Sequence, residues 1–239
     1  MDAFVIHGGK PLRGTVRING SKNASLPLMA ASLLTTDPVT LHGVPDLSDI
    51  RNMKRLLNSL GMAFNESDSP AGEDPAAGPA SLEITTQDAD KTLAHYDIVR
   101  TMRAGICVLG PLLAARGEAR VSLPGGCAIG DRPVDLHIRG LRALGAEITL
   151  DGGDIIARPP AGGRLRGTTL FLGGPNGSTV LGTANVLSAA VLAEGTTVIE
   201  SAACEPEITD LCKLLTSMGA KKGLSGAAIQ STNSWRGSR

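Results

Sequence analysis

Three stretches of this chain repeat one order of apolar and polar positions. The first begins with a mostly apolar block, ASLPLMAASLL, directly after Ser21, Lys22 and Asn23. A β-branched segment follows from Pro38 (PVTLH), and then LSDIRNMKRLLNSLG, in which Ile50, Met53, Leu56, Leu57 and Leu60 recur at helical spacing. Gly61 stands where a helix C-cap is expected. In the second stretch, residues 98–116 predict an apolar helix, 118–123 a strand, and a further helix ends at Leu144-Gly145-Ala146. The third predicts a helix over 178–193, a strand over 196–201, a turn at Glu205-Pro206-Glu207, and a helix ending at Met218-Gly219-Ala220. A hairpin closes the unit: AEITL and DIIARP flank Asp151-Gly152-Gly153 in the middle copy, and SLEITT supplies its partner in the first.

A unit of helix, strand, helix and two strands is too small to bury its own apolar face, so three of them should close around one another. The fold class is therefore α/β (α+β), with approximate threefold symmetry. Helices this uniformly apolar belong inside and the sheets outside. Three segments stand apart. Residues 4–20 (FVIHGGKPLRGTVRING) read as two short strands joined through Gly8-Gly9-Lys10-Pro11. Residues 65–80 (NESDSPAGEDPAAGPA) are Pro-, Gly- and acid-rich without an aliphatic run, and read as a disordered hairpin insertion. From Lys221 onward the alternation that closes the middle copy is missing, and the basic, Ser-rich end reads as neither strand nor helix.

Composition narrows the function classes. Only five of 239 residues are Phe, Trp or Tyr, so the core is aliphatic and no stacking platform for nucleic acid exists. The 23 basic and 23 acidic side chains cancel, which removes long-range steering toward nucleic acid or a membrane surface. The start MDAFVIHGGK does not read as a signal peptide, and no apolar run approaches a membrane span. Cys107, Cys127, Cys204 and Cys212 form no CxxC pair, which argues against zinc and fits a reduced, cytoplasmic protein. No metal or cofactor is expected.

The chemistry points to the middle copy. Between strand and terminal glycine it is about two residues longer than the others, and the excess falls in LPGGCAIGDRPVDL, residues 123–136. Pro124, Gly125 and Gly126 force a surface-reaching loop that ends in the thiol of Cys127. Arg132 lies five residues on, Pro133 suits a first helical position, and Val134 and Leu136 begin an apolar helix face. Access, mobility and a nearby cation are what a reactive thiol requires; the bland alternative is an inert, buried cysteine. Lys22 and Asn23 lie at a helix N-terminus, where backbone N–H groups collect and anions bind; alternatively Asn23 caps the helix and Lys22 is solvated. Arg103 and the run 177–179 fall at matching helix starts in the other two copies. Threefold symmetry then gathers Lys22, Arg103, Arg132 and unpaired N–H groups on one rim, a site for phosphate or carboxylate.

With these residues in view, the chain resembles the enolpyruvyl transferases. The resemblance rests on FVIHGGKPLRGTVRINGSKNASLPLMAASLL, on TMRAGICVLGPLLAARGEARVSLPGGCAIGDRPVDLHIRGLRALGAEI and on LAEGTTVIESAACEPEITDL. It covers nearly everything from residue 3 to about 220 except the acidic insertion. The PGGC…RPVDLH segment points to the branch acting on UDP-N-acetylglucosamine, since the shikimate-pathway branch lacks this cysteine loop.

The resemblance implies an inside-out α/β barrel domain with three helix–strand–helix–hairpin repeats. It implies transfer of the enolpyruvyl group of phosphoenolpyruvate to the 3-hydroxyl of UDP-N-acetylglucosamine, a step of peptidoglycan synthesis. Cys127 would be the proton donor, a carrier of phosphoenolpyruvate and the thiol that fosfomycin alkylates. Lys22 and Asn23 would engage phosphoenolpyruvate. Arg103, Arg132, Pro133, Val134, Asp135 and Leu136 would hold the nucleotide sugar, with backbone N–H groups at Ser178, Thr179 and Val180 a weaker match. Residues 1–20 would belong to a second domain of the family, 21–222 to the three-repeat domain, and 223–239 to an atypical tail. The family has two such domains with the active site between them, so this chain reads as a truncated or frame-shifted half. These 239 residues alone are then expected not to turn over; a non-catalytic module that binds nucleotide sugar weakly is the alternative, and the shikimate-pathway activity a more distant one. The two small molecules are the expected partners, and the oligomeric state stays open.

Overall fold

The computed structural model describes residues 3–9, 11, 13–15, 18–67, 81–123, 134–161, 163–225 and 228–232. In the first copy helix α1 (Lys22–Ala31) runs into a 3₁₀ turn (Ser32–Leu34), followed by strand β1 (Val39–His42), helix α2 (Ser48–Ser59) and strands β2 (Met62–Ser67) and β3 (Ser81–Thr86). The middle copy holds β4 (Leu93–Ala94), the short helix α3 (Tyr96–Val99), a 3₁₀ helix (Arg103–Val108), α4 (Leu109–Arg116), β5 (Ala119–Ser122), α5 (Asp135–Ala143), β6 (Glu147–Asp151) and β7 (Asp154–Arg158). The third holds β8 (Thr169–Phe171), α6 (Val180–Ala190), β9 (Thr196–Glu200), α7 (Pro206–Ser217), β10 (Lys221–Ser225) and β11 (Ala228–Thr232).

Each copy builds its own sheet. The orders are β1-β3-β2, β4-β5-β7-β6 and β10-β11-β9-β8. In the second and third sheets a short strand pairs in parallel with the central one, β4 with β5 and β8 with β9, while the closing hairpin pairs antiparallel. Inward positions alternate along the strands, as Val39 and Leu41 of β1 show. The inner layer is helical: in α6, nine consecutive residues from Gly182 to Ala190 are buried. Helices inside and sheets outside is the arrangement that the apolar pattern predicts.

The second helix of each copy ends in the same way. Gly61, Gly145 and Gly219 all take left-handed backbone, with φ of 80°, 93° and 101°, and turn the chain into β2, β6 and β10. Pro206 opens α7, where its missing N–H costs nothing.

Five expectations need correction. Residues 98–116 are not one helix. Met102 is extended, 103–108 wind as a 3₁₀ helix, and α-helix resumes only at Leu109. Pro111 is one cause, because its ring clashes with the carbonyl four residues earlier in a continuous helix. The second cause is an inserted side chain, described below. The acidic insertion begins later than residue 65: Asn65, Glu66 and Ser67 extend β2 and pair with Glu83, Leu82 and Ser81. Lys54 holds the Glu66 carboxylate, and the Ser67 and Ser81 hydroxyls bond at 2.7 Å. Residues 68–80 lie outside the described residues.

The tail does close the third copy. β10 and β11 form an antiparallel pair, Leu224 opposite Ile229, and β11 pairs with β9. The edge of β9 recruits a sequence whose own strand signal is weak, so tertiary pairing overrides local propensity. The two N-terminal strands do not form among the described residues. Phe4, Val5, Ile6 and Ile18 stand exposed, and a lone segment without a partner strand leaves its backbone to water. α6 is also shorter than 178–193, since Thr179 caps it.

Candidate active site

The inner helices of the first two copies run side by side in the same direction. α1 packs on the 3₁₀ helix Arg103–Val108, and the 3₁₀ turn Ser32–Leu34 packs on α4. Start meets start and end meets end. Lys22, first residue of α1, and Arg103, first residue of the 3₁₀ helix, therefore lie at one end of the inner layer. α6 packs on α1 and on the 3₁₀ helix as well.

At the start of α1, Ser21 is the cap: its Oγ accepts from the Ala24 N–H at 3.3 Å, and its carbonyl accepts from the Ser25 hydroxyl at 2.8 Å. Asn23 is not the cap and stays exposed, so its amide faces solvent beside the first-turn N–H groups. Lys22 is not merely solvated either. Its Nζ lies 2.8 Å from Asp49 Oδ2 in the first turn of α2, with both side chains partly exposed. Asp49 carries no chemical motif of its own in the sequence; its only signal is an acid at a helix N-terminus, ordinarily read as dipole compensation.

The Arg103 charge acts on two buried groups. Burial pushes the Cys107 thiol up to about 12, and Arg103 only partly opposes this. Cys107 is thus a protonated core residue, as is expected of a thiol in apolar surroundings. The second group is His137 in α5, which burial and the Arg103 charge lower to about 4 while Asp135 pulls the other way. Arg103 and Asp135 thus act on the charge of one ring from two elements.

Val134 is the N-cap of α5 and Asp135 its exposed first residue, so the helix begins two residues after Pro133. Leu136 packs over Gly174, where an added Cβ would come within 3.0 Å of Leu136 Cδ1. Gly174 and Gly177 exchange backbone hydrogen bonds at 2.8 and 3.0 Å around Pro175-Asn176, and Arg139 Nη2 donates to the Gly173 carbonyl at 2.6 Å. The run 134–136 is thereby set against the turn that leads into Ser178, Thr179 and Val180. Thr179 spends its hydroxyl on the α6 cap, accepting from the Gly182 N–H at 3.2 Å. Ser178 is exposed. Cys127, Arg132 and Pro133 lie outside the described residues. Of the other cysteines, Cys107 and Cys212 are buried and Cys204 is exposed.

Sequence reasoning also passed over Asn185. It is fully buried in α6, and its amide sits between two backbone groups of the middle copy. Oδ1 accepts from the Gly110 N–H at 2.6 Å and Nδ2 donates to the Ile106 carbonyl at 2.7 Å. Those two groups would bond each other in a continuous α-helix, so the side chain enters the ladder and takes over the missing link. Gly110 permits it: a Cβ there would lie 2.2 Å from the Asn185 carbonyl oxygen. One polar residue inside VLGTANVLSAA was the available signal.

Comparison with known proteins follows the same lines. A UDP-N-acetylglucosamine 1-carboxyvinyltransferase of Methylacidiphilum infernorum is 52% identical over 230 residues, 96% of this chain and 51% of the relative. One from Akkermansia muciniphila is 50% identical over 220 residues, 92% of this chain and 48% of the relative. The chain spans about half the length of the curated relatives it matches. The crystal structure of the enolpyruvyl transferase NikO from Streptomyces tendae superposes with a TM-score of 0.74 at 21% identity, over 97% of this chain and half of that one, a likeness of fold. The profile of the EPSP synthase (3-phosphoshikimate 1-carboxyvinyltransferase) family matches residues 6–229. With nearly its whole length matched, this chain belongs to that family of enolpyruvyl transferases.

Proposed function

We propose that this chain supplies one half of an active site that transfers the enolpyruvyl group of phosphoenolpyruvate to the 3-hydroxyl of UDP-N-acetylglucosamine and releases phosphate. The observation that carries this is the 50–52% identity, over more than nine-tenths of the chain, to relatives named for that reaction. Identity at that level favours the nucleotide-sugar branch over the shikimate one. Peptidoglycan synthesis in the cytoplasm is the setting the reading implies, and no helix among the described residues is long and apolar enough to cross a membrane.

The chemistry assigns each residue a task. Phosphoenolpyruvate is a dense anion, and Lys22 with Arg103 and Arg132 offsets the charge that builds in an addition–elimination transition state. In the addition, the sugar oxygen bonds to C2, Cys127 gives a proton to C3, and the hydroxyl proton passes to a base. That base is assigned to the portion of the relatives that this chain does not span. In the elimination, the C2–O bond to phosphate breaks and C3 returns its proton. Asp49 holds Lys22 in place, while Asn23 and the first-turn N–H groups of α1 face the same end. Val134, Asp135 and Leu136, beside Ser178, Thr179 and Val180, take the nucleotide sugar.

The test is phosphate release from phosphoenolpyruvate, with and without UDP-N-acetylglucosamine. The 239 residues alone should release none, because a half-site cannot orient two substrates. Sugar-dependent release that disappears in Cys127→Ser would show that a complete site is already present. Maleimide labelling tests the thiol itself. Burial protects Cys107 and Cys212, so Cys204 is the internal standard. Cys127 should label faster than Cys204; equal rates would remove the activated thiol from the proposal.

A further inference from the structure

The Asn185 amide has a third partner. Gly110 N–H can only donate, so the Asn185 atom facing it is oxygen, and the other end of the amide is the NH₂ group. One of its hydrogens goes to the Ile106 carbonyl. The second points at His137 Nδ1, 2.9 Å away. A ring nitrogen that faces a donor carries a lone pair, so His137 is the neutral tautomer with its proton on Nε2. The amide cannot turn over to suit a protonated ring. Turning would set Oδ1 against a carbonyl and NH₂ against an N–H.

His137 is the third residue of α5, immediately after Asp135 and Leu136. We infer that His137 is a positioning residue whose neutral ring pins the first turn of α5, and with it Val134, Asp135 and Leu136, onto the inner helices, and that protonation of the ring releases this turn. The functional consequence rests on the reading of 134–136 as nucleotide-sugar contacts. The two charges that act on the ring oppose each other, and the arginine prevails. Arg103, from the 3₁₀ helix, repels a second positive charge; Asp135, on the same helix as His137, attracts it more weakly; Cys107 stays a neutral thiol. α6 contributes no titratable side chain. Burial lowers the ring's proton affinity more than Arg103 does, and the closed ring stays neutral down to about 4. Once the turn opens, the ring returns toward its ordinary value of 6.5, so opening takes up a proton.

Amide hydrogen exchange on the 239-residue chain tests this. The Ile138 N–H, bonded to the Val134 carbonyl at 3.1 Å, and the Arg139 N–H report the turn. After correction for intrinsic exchange rates, their protection should fall about thirtyfold between pH 8 and pH 5, while the matching turns of α2 and α7 hold steady. His137→Asn places an acceptor oxygen near the Nδ1 position and cannot titrate; it should keep the protection at both pH values. His137→Phe should show at pH 8 the loss that acid produces. Constant protection in the unaltered chain, or an equal acid loss in His137→Asn, overturns the inference. Should the Phe variant fail to fold, the Asn comparison decides alone. UDP-N-acetylglucosamine titration at pH 8 separates the two readings. Where the sugar binds, His137→Phe should weaken it by about tenfold and His137→Asn by less than about twofold. An acid effect on α5 with no sugar binding at all would sink the substrate assignment and leave the His137 pin standing.

Discussion

Three seams join the three copies, and the two that the middle copy makes are built on opposite plans. Between the first and middle copies the inner helices meet through apolar side chains, and a long polar tie lies at the outer end. There Arg116 of α4 donates to the Leu60 carbonyl at the C-terminus of α2 at 2.6 Å, and its other nitrogen approaches the Met62 sulfur at 3.5 Å. Between the middle and third copies Arg139 likewise reaches the Gly173 carbonyl at the rim, but a further tie lies in the centre, where the Asn185 amide bonds Gly110, Ile106 and His137 far from water. A half-exposed arginine can exchange its partners for water. A buried amide cannot, so every group it touches depends on it. The first seam tolerates sliding; the second allows one register.

That contrast can be broken by substitution. Asn185→Leu keeps the volume but leaves the Gly110 N–H, the Ile106 carbonyl and the His137 ring without their partner in a dry core. We expect a loss of about 4 kcal/mol, at the severe end for a single change. Arg116→Ala removes a longer side chain and more atoms, yet should cost only about 1 kcal/mol, because water replaces it at the rim. Urea unfolding of the two variants measures both numbers. Comparable losses would mean that the seams do not differ as described.

Acid should sharpen the same difference. His137 has its proton affinity lowered in the folded chain, to about 4 from 6.5. Unfolded chains therefore bind this proton first as pH falls. The stabilisation is complete above pH 6.5, is lost between 6.5 and 4, and changes no further below that. The whole loss is about 3 kcal/mol, measurable as a fall in the urea midpoint, and it belongs to the central seam alone. His137→Asn should remove the slope within this window. Asp154, whose carboxylate is held low by the Ser122 hydroxyl and Arg120, loses its contribution only at more acid pH.

Much of this was legible in the sequence, and the exceptions share a cause. Repeated glycines at 61, 145 and 219, apolar blocks at helical spacing and the Asp151-Gly152-Gly153 turn are local signals, and each produces the element it predicts. Lys22 and Arg103 could be placed at matching helix starts because the repeat supplied a frame. What escaped notice depends on partners distant in the chain. Lys221–Ser225 and Ala228–Thr232 pair because β9 offers an edge, while the described residues of 4–20 take no partner strand. The helix over 98–116 breaks partly at Pro111, which the sequence displays, and partly at an amide from 75 residues further on, which it does not. Asp49 and His137 were invisible as site residues for the same reason: each acts through a neighbour on another element.

The smallest test moves to the turn that follows the strand between the two helices of each copy. In the first copy Gly43 follows β1 with φ of 66°, and in the third Ser201 follows β9 with φ of 54°. The backbone turns alike, but a serine pays the steric cost of left-handed geometry that glycine avoids. Leu123, at the matching place in the middle copy, has no positive φ; its N–H bonds the Gly153 carbonyl at 2.8 Å, and the chain leaves toward the cysteine loop. Ser201→Gly should raise stability by about 0.5 kcal/mol, the relieved strain less the added freedom of the unfolded chain. Gly43→Ser should lower it by about 1 kcal/mol. Opposite signs would show that the two turns are one device carried by different residues. If Ser201→Gly is destabilising instead, the serine side chain, which stands close against Gly173, contributes more than its backbone costs. The third copy would then be tied to the Arg139–Gly173 contact at its rim as well as at its centre.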